Sequence, residues 1–208
     1  MLGFGAVGEL ALGEFPRDLV AKIAQSTDKV ALSFSSLIIP DHSLVITDKD
    51  AEGRLIRSTS AIWFEVARCL ASDWSAAHQL TPEQWEELVA GAFKNYGYDD
   101  VILTPRSGDH GRDIIATKQG IGCVKIIGSV KAYKPGNLVR YDEIRALIGV
   151  ISTDLTVSKG IITTTSDFPP NVARDPFIAP LMPTRLELMN GKALQEWLRE
   201  QLNSIERA

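Results

Sequence analysis

One aspartate and one lysine, on what read as successive strands, are the residues in this chain best suited to chemistry. Asp113 opens an apolar run after the glycine-rich turn Ser107–Gly111, and Lys131 falls late in the next run, Val124–Tyr133. Strand alternation puts Lys125, Ile127, Ser129, Lys131 and Tyr133 on one face, and Val124, Ile126, Val130 and Ala132 on the other. A lysine inside the apolar string Ile126–Ala132 is costly to bury without a partner, and Asp113 is the candidate partner. The plain alternative is an ion pair at a sheet edge. The chemical reading is phosphodiester hydrolysis, which needs a divalent cation to polarise phosphate and a cationic side chain to orient water or stabilise developing charge. Magnesium, or manganese in its place, takes hard oxygen ligands and keeps several waters, so one or two carboxylates suffice. Glu86 and Glu87, on the preceding helix, are candidates for a further acid.

The elements that must position these groups are legible from Thr81 onward. Thr81-Pro82-Glu83-Gln84 reads as a helix start, with Thr81 as N-cap, proline at the first helical position and Gln84 closing a capping box. The helix runs over Pro82–Tyr96, with Trp85, Leu88, Val89, Ala92 and Phe93 on its buried face. Strands are expected at Val101–Thr104, Asp113–Thr117 and Val124–Tyr133, then a helix over Val139–Ser152 with Ile144, Leu147, Ile148 and Ile151 inward. A buried strand at Gly160–Thr165, a strand at Arg185–Met189 and a helix over Ala193–Leu202 complete an α/β (α+β) arrangement. Its αβββαβ core is a mixed sheet flanked by helices.

A change of patterning near residues 73–82 suggests a boundary between an N-terminal unit, 1–75, and a domain at 81–208. In the first unit the sequence predicts a helix over Arg17–Gln25 and a hairpin of Val30–Ile39 with Leu44–Thr47, turning at Pro40–Ser43. A helix over Ser60–Leu70 makes it a small α+β unit for recognition or assembly. Trp63, Phe64, Val66 and Leu70 read as core, with a docking or homodimer face as the alternative. Gly3, Gly5 and Gly8 match GxGxxG in form, but only Met1 and Leu2 precede them, so the strand a dinucleotide site requires is missing.

Composition narrows the classes further. The 208 residues are 45% hydrophobic and 23% charged, and no run approaches the ~18 apolar residues that span a membrane, so a cytoplasmic location is the expectation. Cys69 and Cys123 stand apart, without metal-ligand spacing, and read as buried free thiols. The net charge of -4 argues mildly against a polyanion partner. Residues 106–145, however, carry eight bases and four acids, a local excess of +4. Arg106, Arg112, Lys125, Lys134, Arg140 and Arg145 are therefore the candidate DNA contacts, with a solvated surface as the plain alternative.

Several strings in order resemble the Mrr-type restriction endonuclease domain of the PD-(D/E)XK superfamily over Thr81–Leu202. They are Trp85–Ala90, Gly97-Tyr98, Ser107–Ala116, Ser129–Tyr133, Gly160–Phe168 and Asn190-Gly191. The resemblance implies a restriction-endonuclease-like fold and a magnesium-dependent endodeoxyribonuclease acting in restriction or defence. It assigns Glu86 as the helix acid, Asp113 as principal metal ligand, Lys131 as catalytic lysine, and the carbonyl of Val130 as a further metal contact. Where the family carries Gln, and the superfamily Glu or Asp, this chain has Ser129, a shorter and uncharged oxygen ligand. Two other readings use the same fold: a catalytically weakened DNA-binding or interaction module, and a resolvase or repair nuclease for branched DNA.

Overall fold

Ile126 and Ile127 are adjacent in sequence and both buried, yet they belong to different hydrophobic cores. Their strand therefore lies inside a sheet covered on both faces. The computed structural model describes residue 39 and residues 44–105 and 111–205. Seven strands run in sequence order across one sheet: β1 (Val45–Lys49), β2 (Arg54–Thr59), β3 (Asp100–Leu103), β4 (Ile114–Lys118), β5 (Val124–Lys131), β6 (Lys159–Thr164) and β7 (Leu186–Met189). Neighbours from β1 to β5 are antiparallel, and β5, β6 and β7 are parallel. Helices α1 (Ala61–Ser72), α2 (Pro82–Asn95) and α4 (Gly191–Ile205) contribute to the core on one face, with Ile114, Ala116 and Ile126 beneath. Helix α3 (Tyr141–Thr153) covers the other face through Ile144, Leu147 and Ile151, against Ile127 and Ile162.

Local sequence accounts for the helix that starts the expected core. Thr81 accepts from the Gln84 N–H at 3.2 Å, and Gln84 Oε1 accepts from the Thr81 N–H at 2.9 Å, a complete capping box with Pro82 just inside. Trp85, Leu88, Val89, Ala92 and Phe93 are all buried, as the 3,4 spacing requires. The αβββαβ succession expected from Thr81 onward is present, with element ends moved by one or two residues.

The region before it differs from expectation. Residues 44–75 do not form a separate unit: β1 and β2 extend the same sheet, β2 pairing with β3, and Trp63, Val66 and Leu70 share a core with Trp85 and Leu88. The physical reason is direct contact between layers. Trp63 Nε1 donates to the Leu88 carbonyl at 2.9 Å, and the two helices approach so closely at Gly91 that a Cβ there would lie 2.5 Å from that indole nitrogen. At the other end of α1, Arg199 Nε donates to the Ala71 carbonyl at 2.7 Å and Gln195 Nε2 to that of Leu70 at 3.0 Å, satisfying carbonyls the helix leaves open. The change of patterning at 73–82 marks a 3-10 turn, Trp74–Gln79, between two helices of one body.

β1 pairs with Arg54–Thr59, a strand the sequence did not suggest because only Ile56 along it is buried. The expected partner Val30–Ile39 and turn Pro40–Ser43 lie, apart from Ile39, outside the described residues. So do the helix expected over Arg17–Gln25, Gly3–Gly8, Arg106 and the turn residues 107–110. Cys69 is buried as expected, and burial pushes its thiol above the ordinary range, with Glu65 adding to the shift. Cys123 is exposed, contrary to expectation, because it ends the turn between β4 and β5. No helix among the described residues is long and apolar enough to cross a membrane.

Candidate active site

Three strands converge on Asp113. The ladder that pairs Ile114 with Gly128 carries one step further, so that the Asp113 N–H donates to the Gly128 carbonyl at 2.9 Å and Asp113 stands opposite Ser129. From β3's end, the Thr104 N–H donates to the Asp113 carbonyl at 3.1 Å, and the Thr104 hydroxyl donates to the carbonyl of Arg112. The carboxylate then turns onto β5: Oδ2 accepts from the Val130 N–H at 2.6 Å and from Ser129 Oγ at 3.2 Å. Two donors on one oxygen fix the side chain in orientation.

Ser129 is 3% exposed. Its hydroxyl is oriented by Asp113 and adds no charge where a longer side chain would bring a carboxylate. Because N–H and C=O of one strand residue point to the same edge, the Val130 carbonyl opens on the Asp113 side, just beyond the end of β4. A carboxylate and a hydroxyl thus meet at Asp113, with a peptide carbonyl on the same edge of the strand. The set suits a hard divalent cation that keeps several waters, and suits a thiophilic metal poorly. Among the described residues, no cluster of three or more His, Cys, Asp or Glu side chains offers an alternative metal position.

Lys131 leaves the same face of β5 as Ser129 and is half-buried. It was expected to pair with Asp113. Among the described residues its ammonium makes no hydrogen bond or ion pair, and Asp113 Oδ2 takes Ser129 and Val130 instead. The backbone beneath it is held firmly by β6: Thr163 Oγ1 donates to the Ser129 carbonyl at 3.4 Å, Thr164 Oγ1 to that of Lys131 at 2.9 Å and Thr165 Oγ1 to that of Tyr133 at 2.6 Å. Sequence reasoning did not give these threonines a role. The available signal was three consecutive hydroxyls closing a buried strand, each needing a partner. Beyond Lys131, Tyr133 donates to Glu143 in the first turn of α3, and burial together with that bond pushes the phenol up to about 12, so it stays a donor at neutral pH.

The helix acids divide. Glu87 is fully buried and committed to the sheet: Oε1 accepts from Arg54 at 2.9 Å and Oε2 from the Leu44 N–H at 3.3 Å. Glu86 is half-buried on α2, in the layer opposite the face from which Ser129 and Lys131 project. The turn before α2 nevertheless borders the site's end of the sheet, where Ala77, His78 and Leu80 share a recess of about 150 Å3 with Ala132, Tyr133, Lys134 and Thr165. His78 had no distinguishing pattern in the sequence.

The basic candidates scatter. Lys134 is exposed in the turn that follows β5, within that recess. Arg140 is exposed and bound to Asp142, while Arg145 faces Asp175 at 3.7 Å and lies 5.6 Å over the Tyr141 ring. Arg112 lines a groove of about 590 Å3 along α3 with Ala146, Gly149, Val150, Thr153 and Asp154. Lys125 lies at the opposite end of β5, about 20 Å from Lys131 at strand rise, and is paired with Asp154 at 3.4 Å. It does not join the group around Asp113.

A family model described as restriction endonuclease, the Mrr catalytic domain, matches residues 77–198. No curated protein matches the chain. Among solved structures it is similar to the DNA modification-dependent restriction endonuclease AspBHI, at 19% identity and a TM-score of 0.48, over 81% of this chain and 43% of that one. It is also similar to the MspJI restriction endonuclease in complex with a 27-mer oligonucleotide, at 17% identity and a TM-score of 0.40, over 81% of this chain and 38% of that one. The chain thus spans less than half the length of either.

Proposed function

We propose that this chain, which belongs to the Mrr catalytic family of restriction endonucleases, is a divalent-metal-dependent endodeoxyribonuclease whose site is built from Asp113, Ser129, Val130 and Lys131. The observation that carries the reading is the meeting of Asp113, the Val130 backbone and Ser129 beside a lysine whose ammonium has no partner among the described residues. Asp113 would hold the cation, with the Val130 carbonyl and Ser129 hydroxyl as neutral donors. When bound, the cation neutralises charge on the scissile phosphate. Lys131 lies against the same phosphate, orients the attacking water and stabilises the charge that develops as the P–O bond breaks. Thr164 and Thr165 keep the Lys131 backbone from shifting. Glu86, in the layer on the other face of the sheet, acts on the site only indirectly, and Lys134, Arg140 and Arg112 contact the flanking backbone of DNA. Restriction or defence is the setting.

A second reading has its own support. Ser129 is buried and spends its hydroxyl on Asp113, which leaves a single charge in the ligand set and favours a weakened nuclease that binds DNA without cutting it. Incubating the protein with supercoiled plasmid in magnesium or manganese, beside an EDTA control, separates the two. Nicked or linear product only in metal supports the nuclease. Retarded but intact plasmid in every metal tested supports the second reading.

A further inference from the structure

Away from this site, on the opposite face of the sheet and toward the other end of β5, aromatic rings from three segments surround a cleft of about 290 Å3. Phe93, near the end of α2, meets Tyr98 at 5.4 Å and 88°, and Trp197 of α4 at 5.3 Å and 60°. Tyr96 stacks on Tyr98 at 6.3 Å and 29° and is 66% exposed. These angles make walls that turn corners around a space. The floor is Ile126 and Ile161, and the mouth carries Lys159, Glu187 and Glu200. Lys159 is bound to Glu187. Glu200 makes no hydrogen bond or ion pair among the described residues, so the cleft keeps one uncompensated negative charge beside electron-rich rings.

We propose that this cleft binds an arginine side chain presented by a protein partner. The guanidinium is planar and weakly hydrated, stacks on aromatic faces and offers paired donors to a carboxylate, which matches rings and Glu200 together. A purely apolar insert would leave the acidic mouth unanswered. Nucleic acid fits poorly, because its phosphates would approach Glu187 and Glu200.

The test uses the whole chain, 15N-labelled, and follows the tryptophan indole N–H resonances. N-acetyl-arginine amide is the probe, N-acetyl-citrulline amide its uncharged counterpart of like shape, and oligothymidylate the nucleic-acid arm. Arginine should shift the Trp197 signal saturably, citrulline should not, and salt should weaken the response. Glu200→Gln and Tyr96→Ala should each weaken binding by about fivefold. Trp63 and Trp85, both fully buried, report whether each variant keeps its fold. A Trp197 signal unmoved by arginine, moved equally by citrulline, or moved by oligothymidylate alone would overturn the proposal. So would arginine binding unchanged in both variants.

Discussion

Two acid and base pairings on this sheet have opposite fates. Glu87 and Arg54 close at 2.9 Å, with the acid fully buried and its second oxygen taken by the Leu44 N–H. Asp113 and Lys131, equally near by topology, do not pair: the acid accepts from Ser129 and Val130, and the lysine is left without a partner among the described residues. The first arrangement spends its charges on joining a hairpin to a helix. The second keeps a cation available, which a structure built for stability alone has no reason to do. An acid oriented by its neighbours, beside a cation left unpaired, is thus a better sign of chemistry than a closed ion pair.

The largest expected effect separates these roles. Asp113→Ala should lower metal-dependent cleavage by at least about 10^3, the scale of losing a central charge-stabilising group. Its stability should fall by only about 1 kcal/mol, because what is lost is a small set of hydrogen bonds at the sheet's end. Plasmid cleavage and urea unfolding on the same preparation measure both. Comparable losses in the two would place Asp113 with Glu87 as a structural acid.

Glu87→Ala should show the reverse. Breaking a buried pair costs about 3–5 kcal/mol, and the lower end is expected here because Arg54 keeps 37% of its side chain in water. Urea unfolding should show that drop, with cleavage at low denaturant near the wild-type rate. Lost cleavage in a folded Glu87→Ala protein would move the helix acid of the site from Glu86 to its neighbour.

Ser129→Glu sharpens the comparison at the ligand set. A second carboxylate should lower the metal concentration for half-maximal cleavage by about tenfold, and calorimetric titration of the metal without DNA should show the same direction. Unchanged or weaker binding in a folded variant would remove Ser129 from the ligand position.

The smallest effects concern the basic residues. Each phosphate contact contributes about -0.9 to the slope of log affinity against log salt. Lys134→Ala should reduce that slope by about one contact, and with Arg140→Ala by up to about 2. Lys125→Ala should leave it unaltered, since Lys125 pairs with Asp154 at the far end of β5. Equal effects at Lys125 and Lys134 would spread the DNA over the whole strand.

What could be read in advance follows the range of the interactions. The capping box at Thr81, the buried stripe of α2 and the two-sided apolar run of β5 are local patterns, and the structure has them where the sequence put them. The strand Arg54–Thr59 was invisible because Arg54, Arg57, Ser58 and Thr59 mask its single buried residue. The expected boundary near residue 75 failed because the contacts that erase it, Trp63 to Leu88 and Arg199 to Ala71, join residues 25 and 128 apart. For the site, type and spacing brought forward Asp113 and Lys131, but no linear pattern shows that Ser129 and Val130 take the carboxylate. Charge counting over 106–145 likewise treated Lys125 and Lys134 alike, although one is paired and the other exposed.

The most direct test of the central claim is Lys131→Ala, assayed for plasmid cleavage in magnesium while DNA affinity is measured in calcium and folding by thermal unfolding. The account predicts a folded protein that still binds DNA, with binding weakened by no more than one phosphate contact, and cleavage reduced at least about 10^3-fold. A folded, DNA-binding Lys131→Ala protein that cuts at the wild-type rate would contradict it.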